Sequence, residues 1–459
     1  MPSNYIENWI QKIILSGAAP DGVSGVSLPG SVPLKLDRAD MDAYRLFRLR
    51  KILQYSYDKS SFYRELFNNA GTQPDQIRRL EDLSKLPLTE PEHLAASPYR
   101  FLCLSRAEVA RPYTFVTSGT TGPQKKVFWS HADLEGITDF MAAGMGMVAG
   151  PGDVVQILLP DGKPGSQADL LSQGVRKLGA TPVAPGPDLS AEEQLRILEN
   201  ARSTVIFGYA GRIFRLTTEL QSNHDLKNKG LRVLFLAAEY LPDARRRALE
   251  EIWNCRVHTH YGLTEMGLGV AVECDARDGY HFNEAGLLLE VVDPRTGNPL
   301  PAGDEGELVF TTLTREAMPL IRYRTHDISR LIPEPCPCGA HALLRIDRVR
   351  KRLESIAFLA NGDELFPALF DDVLFGIPGI VDYQVLLSHT GDRDSLHFRI
   401  ECVREHRGII DCARIKLNAL PAIARNIHAG NLAEPEVELL GWGSLQSESR
   451  AKKMIVDRR

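Results

Sequence analysis

The chain has 459 residues, 43% of them hydrophobic and 25% charged, with a formal net charge of -5. That length exceeds one ordinary hydrophobic core and predicts two or three domains, and the interspersed acidic and basic residues give no reason to expect nucleic-acid binding. Seven scattered cysteines, a first segment with no basic start, and no apolar run long enough to span a bilayer argue for a protein of the reducing cytoplasm rather than a disulfide framework or a membrane protein.

In chain order, residues 3–15 read as a helix and 16–33 as a Gly/Ser/Pro-rich connector. Over residues 40–71, Leu46, Leu49, Ile52, Leu53 and Tyr57 recur at helical spacing and stop at a glycine. The middle of the chain alternates short apolar strands (154–159, 204–207, 232–236) with helices (167–178, 243–253), the pattern of a parallel or mixed sheet. Strands at 286–292 and 306–311 follow. Beyond about residue 352 come a helix (369–375), two strands (381–387, 396–401) and a helix (407–420), which predict a small α+β domain.

Several segments carry chemistry. Residues 117–126 read Thr-Ser-Gly-Thr-Thr-Gly-Pro-Gln-Lys-Lys, a loop able to turn backbone N–H groups, hydroxyls and lysines toward one anionic ligand. Ala237-Ala238-Glu239 lies between a strand and a helix, where a flat ligand can rest at a sheet end. Tyr261-Gly262-Leu263-Thr264-Glu265 offers an aromatic face, a close-approach glycine, a hydroxyl for phosphate and a carboxylate for Mg2+. Tyr323-Arg324-Thr325-His326-Asp327 ends in a carboxylate suited to two ribose hydroxyls, and residues 345–354 are dense in basic groups. Separately, Cys336-Pro337-Cys338-Gly339 together with Cys274 and His281 supplies a Cys3His donor set for a closed structural zinc site, with Cys255, His258 and His260 as alternative ligands.

These segments, in this order, resemble the phenylacetate–CoA ligases within the adenylate-forming superfamily of acyl-CoA synthetases, adenylation domains and luciferases. The resemblance covers nearly the whole chain. It takes in Ser60-Ser61-Phe62-Tyr63-Arg64, Leu80-Glu81-Asp82-Leu83, Lys85-Leu86-Pro87-Leu88-Thr89 and the phosphate loop, and is densest from Gly306 through Leu313-Thr314-Arg315-Glu316 to Thr325. It implies an α/β fold: a large multi-sheet N-terminal adenylation domain over 1–350 and a small, mobile α+β C-terminal domain over 351–459. It further implies an ATP-dependent, AMP-forming ligase that adenylates an aryl or arylacetic acid and passes the acyl group to CoA. By the same resemblance Thr117, Ser118, Gly119, Thr120, Thr121, Gly122 and Lys125 contact the ATP phosphates, and Glu239, Tyr261 and Gly262 lie near adenine. Thr264 and Glu265 serve the phosphate and Mg2+, Asp327 holds the ribose, Arg348 joins the nucleotide site, and Arg352 is the hinge arginine. The acid pocket is expected just before Tyr261 and around residues 208–211, and a homodimer is compatible with the resemblance.

Two departures lie in the C-terminal part. The family's Gly-Arg-x-Asp-Asp hinge reads Lys351-Arg352-Leu353-Glu354-Ser355, and the position of the adenylation lysine, six before Asp457, holds Ala451. Lys452 or Lys453 from a shifted register, or Arg450, supplies the cation; arginine keeps the charge on a wider, planar head. These departures leave two other readings open: an adenylate-forming enzyme with a carrier-protein, amine or nucleotidyl acceptor, and an ATP-binding regulatory protein without turnover.

Overall fold

The computed structural model describes residues 5–14, 37–115, 125–160, 163–237, 239–403, 407–445 and 455–459. The connector at 16–33, the phosphate loop from Thr117 to Gly122, and Arg450, Lys452 and Lys453 lie outside them. The first helix spans Tyr5–Ile13. The run expected as one helix over 40–71 is two, Arg38–Lys59 and Ser61–Asn69. Ser60 breaks it by leaving helical geometry (φ -90°, ψ 123°), while its hydroxyl accepts from the Tyr63 N–H and donates to the Arg100 carbonyl at 2.8 Å. A local side-chain cap thus overrides the apolar periodicity.

Nine strands build the central sheet, in the order Leu331–Ile332, Arg345–Ile346, Tyr280–Phe282, Ala271–Glu273, Arg256–Tyr261, Val233–Ala237, Val205–Tyr209, Val154–Leu158 and Thr181–Val183. The last five run parallel; the first five are joined antiparallel. Parallel strands are covered on both faces, so they read as unbroken apolar runs. Ile206, Leu234 and Leu236 pack with Ile213 and Leu249 of the helices Ala210–Leu220 and Asp243–Trp253. Phe207 and Phe235 pack on the other face with Val155, Ile157 and Phe140. A bidentate pair between Arg246 and Glu273 (2.8 and 2.9 Å), buried under this sheet, ties the second helix to a strand; removing either partner would cost about 3–5 kcal/mol.

A second sheet is antiparallel: Leu287–Val292, Gly306–Thr312, Tyr323–Ser329 and Lys351–Arg352. After it, the chain forms a separate core around Phe370, Leu387, Phe398, Ile400 and Leu417. Its four-stranded sheet runs Glu436–Leu440, Arg393–Cys402, Ile380–Thr390, Ile455–Asp457, with helices Pro367–Leu374, Arg407–Asn418 and Pro421–His428. The last helix was not anticipated. Pro421 occupies its first turn, where a missing N–H costs nothing, so the proline starts a helix here. No described helix is long and apolar enough to cross a membrane.

Candidate nucleotide site and cysteine–histidine cluster

The backbone at Asp327 is irregular, and the irregularity aims its side chain. Between Gly306–Thr312 and Tyr323–Ser329 the register shifts: Glu307 faces Ile328 but Val309 faces Arg324. The extra residues bulge at His326, which adopts φ 60°. Thr325 stitches the bulge, its hydroxyl donating to the Leu308 carbonyl at 2.7 Å and accepting from the Asp327 N–H at 3.0 Å. Glu307, itself fully buried, accepts from the His326 N–H and from Arg324 Nε at 2.9 Å.

So held, Asp327 has no solvent exposure, and its carboxylate meets two side chains from other elements. The Tyr261 hydroxyl donates to Oδ2 at 2.8 Å, and Arg352 Nη2 lies 3.0 Å from Oδ2 and 2.8 Å from Oδ1. Arg352 also faces Asp327 across the backbone ladder. Burial raises the Tyr261 phenol far above its ordinary value, so it remains a donor. Beside the node, His326 Nδ1 lies 2.7 Å from Glu354. That hydrogen bond raises the histidine's pKa, so the stability it contributes is complete below about 6.5 and fades as pH rises through the raised value.

A second cluster surrounds Glu265. Lys125 Nζ lies 3.3 Å from its Oε1, and the Tyr323 hydroxyl donates to the same oxygen at 3.2 Å. Arg315, buried, donates to the Glu265 and Met266 carbonyls at 2.6 and 2.8 Å and clamps the turn that follows Tyr261. Asp133, at the start of the helix His131–Met145, accepts from the Glu316 and Ala317 N–H groups and fixes the segment carrying Arg315. Sequence reasoning gave no role to Arg315 or Asp133 and read Tyr323 only as part of the segment ending at Asp327; the density of the resemblance around Arg315 and Tyr323 was a signal for those two, and nothing pointed to Asp133.

Other residues fall as follows. Thr264 is half-buried and its carbonyl accepts from Gly267 within the turn. Gly262 does allow a close approach, but of the chain to itself: a Cβ there would lie 1.7 Å from the Leu268 carbonyl oxygen. Glu239 packs on Gly211, where a Cβ would sit 3.0 Å from Oε2. Gly208 is backed by Ile213 and Leu158. Arg348 is not brought to Asp327; it pairs with Asp243 at 2.7 Å, at the start of the helix Asp243–Trp253.

The sulfur and nitrogen atoms of Cys274, His281, Cys336 and Cys338 all lie within 4.8 Å of one another, and Cys255, His258 and His260 are not part of the group. Cys274 Sγ is 3.5 Å from Cys336 Sγ, and Cys338 Sγ is 3.3 Å from His281 Nε2. Zinc bonds of about 2.3 Å to sulfur and about 2.0 Å to nitrogen put tetrahedral neighbours about 3.5–3.8 Å apart, so the donor set fits. His281 Nδ1 is buried with no hydrogen-bond partner among the described residues. The knuckle is anchored from outside: Glu7 accepts from the His341 and Ala342 N–H groups at 3.1 and 3.0 Å.

A parallel sheet whose strand ends meet a buried carboxylate, a phenol and a lysine–glutamate pair defines the class: an α/β nucleotide-binding enzyme. A family model for AMP-binding enzymes matches residues 110–313. The phenylacetate–coenzyme A ligase of Pseudomonas putida is 30% identical over 440 residues, covering 92% of this chain and 96% of that protein. The chain belongs to the phenylacetate–CoA ligase family of AMP-binding enzymes. Its fold matches 2-hydroxyisobutyryl-CoA ligase in the postadenylation state with a TM-score of 0.80, 20% identity and 96% of each chain covered. The same ligase in its thioesterification state, in complex with 2-HIB-AMP and CoA, matches at 0.65 with 22% identity and 96% of each chain covered.

Because the Gly262 Cβ position is filled by a backbone oxygen, Gly262→Ala is expected to push the Leu263–Leu268 turn aside. Stability should fall by about 1–3 kcal/mol in a denaturant titration and ATP affinity should fall with it; wild-type values for both would show that the turn is not held as described.

Proposed function

We propose that this chain is an ATP-dependent, AMP-forming acid–CoA ligase acting on an aryl or arylacetic acid. The observation that carries the reading is the convergence of Tyr261 and Arg352 on the Asp327 carboxylate, beside the Lys125–Glu265 pair, in a chain related over 92% of its length to an acid–CoA ligase. That kinship also favours CoA over the other acceptors. Asp327 accepts from the ribose hydroxyls, which compete with Tyr261 and Arg352 for a carboxylate already oriented. Glu239 and Tyr261 flank adenine. Thr117 to Gly122 and Lys125 receive the phosphates. Among the described residues the side-chain contacts of Glu265 fall on Oε1, which is compatible with Oε2 ligating Mg2+; the ion, when bound, would offset charge on the phosphate oxygens.

In the first half-reaction a carboxylate oxygen of the acid attacks the α-phosphorus, the bond to the bridging oxygen breaks and pyrophosphate leaves. In the second the CoA sulfur, having lost its proton, attacks the acyl carbon and AMP departs. This chain's residues contribute charge neutralisation and in-line positioning. Residues 351–459 form the small domain that changes position between the halves, with Arg352 at the junction and Lys452 or Lys453 delivered for adenylation. The difference between the two TM-scores to one ligase supports an arrangement near the postadenylation one. In this arrangement the small domain rests on Arg215, bidentate to buried Glu401 (2.7 and 2.9 Å), and on Arg245, which lies over Phe375. Arg348, paired with Asp243 within the large domain, is then held by that helix start and not by the nucleotide.

Acid-dependent ATP–pyrophosphate exchange followed by CoA thioester formation tests the reading. The wild type should do both with at least one arylacetic acid, and Lys125→Ala should lower exchange by about 10²-fold or more; exchange without thioester formation would redirect it to another acceptor.

We also propose that Cys274, His281, Cys336 and Cys338 hold a structural zinc that staples the strands Ala271–Glu273 and Tyr280–Phe282 to the approach of the hinge. Elemental analysis of purified protein should find about one zinc per chain, lost in Cys338→Ser with a lower unfolding midpoint. Metal-free protein of unchanged stability would remove the staple.

A further inference from the structure

His260 sits one residue before Tyr261 on the strand Arg256–Tyr261, at the carboxyl end of the parallel sheet. Successive residues of a strand point to opposite faces, so Tyr261 turns to Asp327 while His260 turns to the face of Phe207 and Phe235. Its ring stacks on Phe207 (centroids 5.2 Å, 24°) and meets Phe235 edge-on (5.4 Å, 67°). Both ring nitrogens are buried, and neither has a hydrogen-bond partner among the described residues. Burial pulls its pKa down to about 4; the Tyr261 backbone opposes this weakly without reaching hydrogen-bond geometry. The ring is therefore neutral near pH 7. Gly269 lets the ring sit close to the backbone, since a Cβ there would lie 3.3 Å from Nδ1.

A neutral imidazole carries one donor and one acceptor, and burying both unpaired is costly unless a ligand completes them. Leucine or phenylalanine would serve the aromatic packing without that penalty. Resting on the ligase reading above, we infer that His260 is a specificity-determining residue that hydrogen-bonds a neutral hydroxyl on the body of the acid, so that the preferred substrates are hydroxylated acids. A hydroxyl both donates and accepts and matches the ring in either tautomer. A second carboxylate would bring an unpaired charge into a wall of phenylalanines, so diacids are disfavoured. Phe207 and Phe235 supply the apolar sides, and the adjoining Tyr261 places the contact close to the nucleotide.

The test is acid-dependent pyrophosphate exchange by wild type, His260→Leu and His260→Gln, with phenylacetate, its ring-hydroxylated derivatives and short hydroxy acids set against their deoxy counterparts. The wild type should prefer a hydroxylated acid by about tenfold or more in kcat/KM. His260→Leu should abolish that preference chiefly through KM and leave the deoxy acid within about twofold, and His260→Gln, which keeps a donor and an acceptor, should restore part of it. A wild type that turns over deoxy acids equally well, or a His260→Leu loss equal for both classes, overturns the inference alone. If His260→Leu does not fold, a His260→Gln enzyme with reduced preference supports the inference, and one with no change of preference overturns it. Silence of the wild type with every acid overturns the ligase reading and this inference with it.

Discussion

One buried carboxylate organises the rest. A carboxylate buried as Asp327 is needs donors, and a phenol from one sheet and a guanidinium from the next strand of its own sheet supply them. Each donor belongs to a different functional part: Tyr261 opens the turn leading to Glu265, and Arg352 ends the last strand before the C-terminal core. The bulge at His326 exists to turn this one side chain to the point where both can reach it. Loss of the carboxylate would release the start of the Tyr261–Glu265 turn and the end of the Lys351–Arg352 strand together.

The second constraint is the crowding around that turn. Gly262 is pressed against the Leu268 carbonyl, Gly267 takes φ 115° beside Arg315, and Arg315 in turn holds two carbonyls of the turn. Here Glu265 is fixed at its backbone by Arg315 and at one oxygen by Lys125 and Tyr323. The polar geometry is set before any ligand arrives, which is the form that electrostatic catalysis requires.

Much of this was legible in the residues. The alternation of apolar runs and helical segments predicted the parallel sheet because burial on both faces leaves a signal that needs no partner to be seen. The Tyr261–Glu265 and Tyr323–Asp327 segments were legible for the same reason: each concentrates its chemistry in five residues. What was not legible depended on distant pairs. Ser60 divides a helix through a bond to the Arg100 carbonyl, and Pro421 begins a helix that composition alone reads as an end. Arg348 looks like a nucleotide ligand until Asp243, over a hundred residues away, captures it. His260 looked like a spare zinc ligand, and only the neighbouring strands put it between two phenylalanines and away from the cysteines.

Asp327 is thus the proposed acceptor shared by nucleotide and hinge. The most direct measurement is calorimetric titration of AMP into wild type and Asp327→Asn, with circular dichroism to verify folding. The account predicts a folded variant whose AMP affinity falls by about 10²-fold or more, since a charge-assisted acceptor is lost at a buried site. A folded Asp327→Asn protein that binds AMP as tightly as the wild type would contradict it.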